Sequence, residues 1–194
     1  MKIMNEVHEE KNKFWPELTK LLLLAVFIII PFRMFVAQPF IVDGASMDPT
    51  FKDKQYLIVD ELTYHFTPPQ RGSVIIFKYP NDTSKYFIKR IIGLPGETVK
   101  INNGQVTIIN SAHPDGFALT EPYIFFKKTD SSTLTLSKDE YFVMGDNRLG
   151  SADSRMWGPV PTADLIGRPI LRVWPTSIWP GDKTDLLSSQ NVQN

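Results

Sequence analysis

The chain has 194 residues, 42% of them apolar and 22% charged, which is enough apolar material for one packed domain with an appendage. Its 21 basic and 21 acidic residues balance. No dense basic run occurs, which argues against a nucleic-acid partner, because that partner needs clustered positive charge. The lack of cysteine excludes disulfides, thiol catalysis and zinc–thiolate sites and leaves the compartment open.

An apolar segment lies near the N-terminus. Residues 21–32 form a run of twelve without a polar side chain, which is shorter than the roughly 20 residues that a membrane-spanning helix needs. Lys20 and Arg33 can snorkel, however, and Trp15 can lie at an interface, so residues 18–37 are predicted to be a transmembrane anchor. A cleaved signal peptide and a buried helix of a soluble protein are the alternatives.

The charges beside this run favour one orientation. Four lysines precede it, whereas Arg33, Lys52 and Lys54 follow it closely. This bias predicts a single-pass protein with a cytoplasmic N-terminus and its main domain on the outer face of the plasma membrane. The predicted regions are a cytoplasmic segment over 1–17, the anchor over 18–37, a β-rich domain over 38–182 with an excursion at about 103–137, and a loose tail over 183–194.

From Pro39 onward the pattern predicts a mainly β fold of short antiparallel strands, rich in β-branched and aromatic residues. The predicted strands are Leu57–Val59, Val74–Phe77, Tyr86–Ile92, Val99–Ile101, Val106–Ile109, Tyr141–Met144 and Ile170–Trp174. Asn103-Gly104, between two of them, predicts a type I′ hairpin. Ala163–Ile166 is predicted to form one short helical turn.

Ser46 lies in a turn-rich stretch, Asp43–Thr50. A serine in such a stretch is usually a turn residue and no more. Asp48 stands where a nucleophile elbow of the α/β-hydrolase type has glycine, so that arrangement is excluded.

Lys89 lies in the predicted strand Tyr86–Ile92 next to Arg90. Because side chains alternate along a strand, the two cations point to opposite faces, and both faces carry apolar neighbours. At least one cation is therefore expected against a core, although an edge-strand cation that reaches water is the simpler reading. Burial would lower the pKa of a lysine, which could then accept a proton from a serine.

The stretch Gly145–Arg155 collects two carboxylates, two guanidinium groups, two hydroxyls and an amide directly after an apolar strand. A solvated charged loop is the ordinary explanation. Calcium is disfavoured, because Arg148 stands where an EF-hand loop needs an oxygen ligand. The loop is predicted to brace itself through Asp–Arg pairs and to hold a neighbouring group in place.

Three histidines occur, and none fits a Ser-His-Asp triad. His8 precedes the anchor, whereas His65 and His113 lie in turn-rich stretches without an obvious carboxylate partner. A histidine base is therefore disfavoured.

Together these segments resemble bacterial type I signal peptidases, the membrane-bound Ser/Lys enzymes that remove signal peptides from exported proteins. The resemblance runs from about Phe40 to Pro180 in the family's order. Its four stretches are Ser46–Thr50, Arg71–Phe77, Lys89–Glu97 and Gly145–Arg155. Each is a weak match alone, but all four in order are highly specific. The short excursion fits compact members with a single anchor.

The resemblance implies that Ser46 is the nucleophile, that Lys89 is the general base and that Ser151 orients the lysine amine. It implies a supporting loop containing Asp146, Asn147, Arg148, Asp153 and Arg155. The implied fold is a coiled antiparallel β-sheet domain preceded by one transmembrane helix. No cofactor and no metal are implied.

The resemblance also implies that an extended substrate lies along Pro39–Gly44. The residues implied to bind it are Phe40, Val42, Gly44, Met47, Phe87 and Ile88, with Val42, Met47 and Ile88 forming shallow apolar pockets for small residues at −1 and −3. Gly44 stands where some members have a serine that helps to bind the oxyanion. A serine there would add a donor, unless the glycine is needed for its backbone.

The resemblance thus predicts a monomeric, membrane-anchored serine endopeptidase whose partners are the lipid bilayer and signal-peptide-bearing preproteins. It would cut after small residues, typically in an Ala-x-Ala sequence. The reaction would pass through an acyl-enzyme intermediate formed by the Ser/Lys dyad. Two alternatives stay open. A self-processing Ser/Lys peptidase would cut its own chain, and a non-catalytic anchored β-domain would need neither Ser46 nor Lys89.

Overall fold

The structure is a computed structural model that describes residues 14–28, 38–125, 127–174 and 177–178. The predicted regions 1–17 and 18–37 are described only in part, and the predicted tail over 183–194 lies outside the described residues. The chain divides into two compact units, Met1–Gln38 and Pro39–Asn194.

The first unit contains helix α1, over residues 14–28. Its apolar side chains are exposed, and each of Leu21, Leu22, Leu23 and Leu24 is more than half accessible. Among the described residues, no helix combines the length and the apolar character of a membrane span. The described part of the predicted anchor is therefore helical, and its insertion in a bilayer stays a prediction.

The rest of the described chain is mainly antiparallel β, as predicted. Its strands are β1 (Gln38–Ile41), β2 (Tyr56–Asp60), β3 (Val74–Tyr79), β4 (Asp82–Gly93), β5 (Thr98–Asn102), β6 (Gln105–Ile109), β7 (Phe117–Ala118), β8 (Ser132–Thr135), β9 (Glu140–Met144), β10 (Val160–Pro161), β11 (Leu165–Trp174) and β12 (Ser177–Ile178). Two 3₁₀ helices (Thr63–His65 and Thr162–Asp164) and a four-residue helix, α2 (Ser154–Trp157), complete the described elements.

The strands form two sheets. The larger follows the order β1-β2-β11-β3-β4-β9-β10, with β12 paired to β11, and the smaller follows β7-β6-β5-β8. The pairs from β2 to β10 along the larger sheet and all pairs of the smaller sheet are antiparallel. Register shifts interrupt β11, β3 and β4, and such bulges bend a strand.

All seven strands predicted from the sequence are present. The hairpin between β5 and β6 also forms, with positive φ at Asn103 (49°) and Gly104 (79°), as a type I′ turn requires. The predicted turn at Ala163–Ile166 occurs one residue earlier, as the 3₁₀ helix Thr162–Asp164. The short elements β7, β8, β10, β12 and α2 were not predicted, because two to four residues are too few for a periodic pattern.

The smaller sheet shares a core with the larger one. Val99, Val106 and other side chains of the smaller sheet pack with Ile92 of β4 and Phe142 of β9. The excursion predicted at about 103–137 is thus joined to the main sheet through buried apolar contacts. A second core cluster, which includes Met47 and Leu57, lies beneath the turn after β1.

Candidate active site

Ser46 lies in the turn that follows β1. The side chains of Met47 and Phe51 are fully buried, and the Phe51 amide donates to the Met47 carbonyl at 2.9 Å. These two apolar side chains hold the turn against the core, while Ser46 itself stays half-buried at its surface. The buried side chains that follow Ser46 thus fix the turn and leave the Ser46 hydroxyl at its surface.

Gly44 does not lie on an extended strand. β1 ends at Ile41, and Gly44 has a φ of 94° with its amide donating to Asp53 Oδ1 at 2.7 Å. The left-handed φ is one that L side chains rarely adopt. A side chain at position 44 would therefore have a strained backbone and would not lie on a strand that directs it towards the oxyanion.

Lys89 lies on β4, opposite Ile75 of β3, and is 4% exposed. Its Nζ donates to Ser46 Oγ at 2.8 Å and to the Ile88 carbonyl oxygen at 3.0 Å. The same atom lies 5.4 Å from the centre of the Phe87 ring. The structure therefore brings the serine and the lysine, 43 residues apart in sequence, into direct hydrogen-bond contact.

Burial lowers the pKa of Lys89 to about 8, although the negative charges of Asp153 and Asp146 oppose this shift. At pH 7, roughly one lysine in ten with that pKa is neutral, compared with fewer than about one in a thousand for an ordinary lysine. A neutral amine at hydrogen-bond distance from a hydroxyl can take its proton, which turns the hydroxyl into a nucleophile.

The loop Gly145–Arg155 contacts the Ser46 turn through Asn147. The Asn147 amide N–H donates to the Ser46 carbonyl oxygen at 3.1 Å, and its side-chain Nδ2 donates to the Ala45 carbonyl oxygen at 3.1 Å. Asn147 Oδ1 in turn accepts from the Gly150 amide at 3.0 Å. Asn147 therefore joins the loop to both residues of the Ala45–Ser46 pair, to Ala45 through its side chain and to Ser46 through its backbone.

The self-bracing prediction required Asp146 to pair with an arginine of its own loop. Asp146 pairs instead with Arg90 of β4. Arg90 Nε and Nη2 donate to the two Asp146 oxygens at 2.9 and 2.7 Å, and both side chains are buried. The Thr50 hydroxyl donates to Asp146 Oδ2 at 2.5 Å. Thr50 was not predicted, because its sequence position gives no sign that it meets a carboxylate 96 residues away.

The two arginines of the loop, Arg148 and Arg155, pair with other carboxylates. Arg155 forms a two-bond pair with Asp153, with both distances 2.8 Å, which confirms the self-bracing prediction for these residues. Burial raises the pKa of Asp153, but the bonds and charge of Arg155 outweigh it and hold that pKa below its ordinary value. Arg148 pairs with Glu121, outside the loop.

Ser151 is buried at 5% exposure. Its Oγ has no hydrogen-bond partner of ordinary geometry within the described chain, and the Lys89 amine bonds to Ser46 and Ile88 instead. The role of Ser151 in orienting the lysine stays a prediction.

A cavity of about 530 Å³ opens beside Ser46 and Lys89. Of the predicted substrate-binding residues, Phe40, Val42, Phe87 and Ile88 line it. The other lining residues are Ile41, Asp43, Leu57, Ile76, Lys85, Tyr86 and Ala152. Gly44 and Met47 are not among the lining residues, and Met47 is fully buried in the core below.

The described histidines lie elsewhere. His65 Nδ1 is 3.0 Å from the Glu61 carbonyl oxygen, and the His113 ring packs on Phe117. The basic group next to Ser46 is the lysine.

The chain is similar to known proteins over most of its length. The family described as "Signal peptidase, peptidase S26" matches residues 15–174. A probable signal peptidase I-1 of Synechocystis is 38% identical over 175 residues, which cover 86% of this chain and 86% of that protein. The signal peptidase I of Leptolyngbya laminosa is 39% identical over 163 residues, which cover 79% and 77%.

A crystal structure of a signal peptidase I from Enterococcus faecalis V583 is 32% identical, and the match covers 53% of this chain and 97% of that chain with a TM-score of 0.45. The family match extends over most of the sequence and includes Ser46, Lys89 and the loop 145–155. The chain therefore belongs to the signal peptidase family, peptidase S26, and is a serine endopeptidase.

Proposed function

We propose that this protein is a membrane-anchored signal peptidase in which Ser46 attacks the scissile carbonyl and Lys89 moves the protons. The observation that carries the proposal is the 2.8 Å contact between Lys89 Nζ and Ser46 Oγ. The low exposure of the lysine, 4%, supports a base role, because desolvation is what makes an amine neutral near neutral pH.

The reaction is acyl transfer in two halves. Neutral Lys89 takes the Ser46 hydroxyl proton, and Oγ attacks the scissile carbonyl carbon to form a tetrahedral intermediate. The intermediate collapses as the Lys89 ammonium protonates the leaving amine of the mature protein, which leaves the signal peptide esterified to Ser46. Lys89 then takes a proton from water, and the hydroxide attacks the ester to form a second tetrahedral intermediate. Its collapse breaks the bond to Ser46 Oγ, which takes the proton back from Lys89, and the signal peptide departs with a free carboxylate.

The oxyanion of each tetrahedral intermediate needs donors near Ser46. The backbone N–H of Ser46 is the proposed donor, and one such donor contributes about 2.7–4 kcal/mol where its geometry is right. Gly44 provides no side-chain donor. We propose that the Ser151 hydroxyl orients the Lys89 amine once Lys89 has taken the proton of Ser46.

The cavity supports a preference for small apolar residues at −1 and −3. Its wall combines Val42, Leu57, Ile76 and Ile88 with Ser46 and Lys89, so an extended peptide beside Ser46 would present alternate side chains to an apolar surface. Phe40 and Tyr86, which also line the cavity, contact each other edge to face across a centroid distance of 5.6 Å.

Membrane attachment is proposed from the N-terminal sequence. The exposed apolar side chains of α1, followed in sequence by further apolar residues up to Phe32, suit a bilayer. Anchoring would confine the enzyme and its membrane-held substrate to one surface, which raises their encounter frequency. The single-pass topology with a cytoplasmic N-terminus belongs to the same proposal.

The test is cleavage of a preprotein by the full-length protein in detergent, with the cut site read by intact mass. Cleavage after the second alanine of an Ala-x-Ala sequence is expected, and a substrate with leucine at that position should stay uncut. Cleavage at both substrates alike would contradict the specificity. Alkali-resistant retention of the full chain in membranes, with the main domain accessible to protease only from outside, is the expected topology result.

A further inference from the structure

Arg148 joins the loop 145–155 to a carboxylate of the smaller-sheet side of the domain. Its Nη1 donates to Glu121 Oε2 at 3.2 Å, and its Nη2 donates to Glu121 Oε1. The third donor, Nε, reaches the Gly145 carbonyl oxygen at 3.0 Å. Both side chains are buried, at 3% and 7% exposure. Arg148 is therefore a rigid link between Glu121 and the carbonyl group of Gly145.

Asp130 makes a second, parallel link. It accepts from Arg155 Nη1 at 2.9 Å, and Arg155 in turn holds Asp153 through two bonds of 2.8 Å. Asp153 Oδ2 accepts from the Gly145 amide N–H at 3.1 Å. The second chain of charged groups thus ends on the amide of the same glycine at which the first chain ends.

Gly145 is the point where this support meets the site. An ideal Cβ there would lie 2.4 Å from the Ser46 carbonyl oxygen and 2.3 Å from Ser151 Oγ, so its backbone is packed directly against both. Because Ser46 Oγ contacts Lys89 Nζ, a displacement of Gly145 would disturb the alignment of the serine with the lysine.

The two carboxylates lie in a connection of the smaller sheet, and the backbone of one of them is bonded to a hairpin of that sheet. Both lie between β7 and β8, and the Gly104 amide of the β5–β6 hairpin donates to the Asp130 carbonyl oxygen at 3.0 Å. Tyr123, whose hydroxyl donates to Glu121 at 2.9 Å, stacks over the Arg90 guanidinium at 4.0 Å. The connection between β7 and β8 therefore reaches the site through three separate contacts.

We infer that Glu121 and Asp130 are positioning residues of the catalytic site, which act through Arg148 and Arg155 to hold Gly145 against Ser46. The inference rests on the proposed function. It gives the connection between β7 and β8 a part in catalysis, because this connection supplies two carboxylates that hold the catalytic loop and that the loop itself does not contain.

The test compares Glu121→Gln and Asp130→Asn with a matched control in the full-length protein. Both changes keep the size of the side chain and remove its charge. The control is Glu97→Gln, because Glu97 is buried to a similar extent, 8%, and pairs with Arg71 at 2.6 Å, with Asn110 and with the Leu94 amide. Preprotein cleavage is measured as kcat and KM per folded molecule from pH 6 to pH 10.

The expected result is a fall in kcat of about tenfold or more in Glu121→Gln and in Asp130→Asn, since small displacements of catalytic groups are expensive. KM should stay within about twofold, because neither residue lines the cavity. The midpoint of the kcat–pH profile should move up, since water that reaches Lys89 reduces its desolvation. Glu97→Gln should be less stable but keep kcat, KM and the midpoint.

Unchanged kcat and an unchanged midpoint in both variants would overturn the inference, and so would equal losses in Glu97→Gln. Asp130→Asn keeps the test decisive if Glu121→Gln does not fold, because Asp130 is the more exposed carboxylate, at 23%. Ser46→Ala is the negative control for cleavage. Cleavage by Ser46→Ala would overturn the proposed function and this inference together, whereas Ser46-dependent cleavage with unchanged kinetics overturns this inference alone.

Discussion

The backbone of Gly145 lies against the carbonyl oxygen of Ser46 with no room for a side chain between them. A Cβ on Gly145 would be 2.4 Å from that oxygen, far inside the 3.5–4.0 Å of ordinary contact between carbon atoms. The oxygen also accepts from the Asn147 amide at 3.1 Å, so it cannot move away without losing a hydrogen bond. The Ser46 turn and the loop 145–155 are therefore two halves of one packed unit.

Gly145→Ala is expected to lower kcat by about 100-fold or more, because the added methyl group separates the two halves and shifts Ser46 from Lys89. Thermal stability should fall as well, since overpacking is destabilising. Steady-state cleavage and a melting curve measure the two effects. Leu149→Ala, an exposed position of the same loop (62%), is the control and should keep the wild-type rate. An active Gly145→Ala enzyme would contradict the packing argument.

The rate should rise with pH as Lys89 loses its proton. Burial lowers the pKa of Lys89 to about 8, so kcat/KM should increase up to about tenfold per pH unit below pH 8 and level off above it. Lys89→Arg should be inactive, because a guanidinium does not release its proton at these pH values. His65→Ala and His113→Ala should leave the profile unchanged. If the profile instead showed a rise in rate near pH 6.5, and if either histidine change removed that rise, the base would be a histidine.

The same pKa predicts how stability depends on pH. Lys89 titrates at about 8 in the folded protein against an ordinary value of 10.5, so between these values the unfolded chain binds more protons. The free energy of unfolding should therefore rise with pH in that window. Relative to Lys89→Met, the wild type should gain on the order of 2 kcal/mol between pH 7 and pH 10. Urea unfolding at the two pH values measures it, and a constant difference would exclude a depressed pKa.

Gly44 should be needed for its backbone. Its φ of 94° is unfavourable for any L side chain, even though nothing lies within 4 Å of an ideal Cβ. Gly44→Ala and Gly44→Ser are both expected to lower kcat and thermal stability to a similar degree. Measuring kcat for both variants distinguishes this backbone requirement from an oxyanion-donor effect. A kcat of Gly44→Ser above those of Gly44→Ala and the wild type would show that the hydroxyl donates.

Local sequence pattern predicted the strands well, because alternation of apolar residues is a property of neighbouring positions. It also predicted that a cation of β4 would meet a core, and both Lys89 and Arg90 are buried, at 4% and 2%. The hairpin at Asn103-Gly104 followed from turn chemistry alone. The pairing of Ser46 with Lys89 did not follow from any spacing, and only the resemblance to a known family suggested it.

Partners of the charged loop were the least predictable part of the site. Asp153 and Arg155 pair within the loop, as proximity in sequence suggested, but Asp146 pairs with Arg90, and Arg148 pairs with Glu121. These partners come from β4 and from the connection after β7, at separations that no local pattern encodes. Burial decides the pairing, since a guanidinium out of water needs a carboxylate wherever the fold provides one.

The central claim is that Ser46 and Lys89 act as one catalytic unit. The most direct measurement is the rate of preprotein cleavage, followed by mass, for Ser46→Ala, Lys89→Ala and the double variant at pH 9, where the wild-type lysine is largely neutral. Each single change should abolish cleavage, and the double variant should be no slower than either, because groups that act together are not additive. Wild-type cleavage by either single variant, or a further loss in the double variant, would contradict the claim.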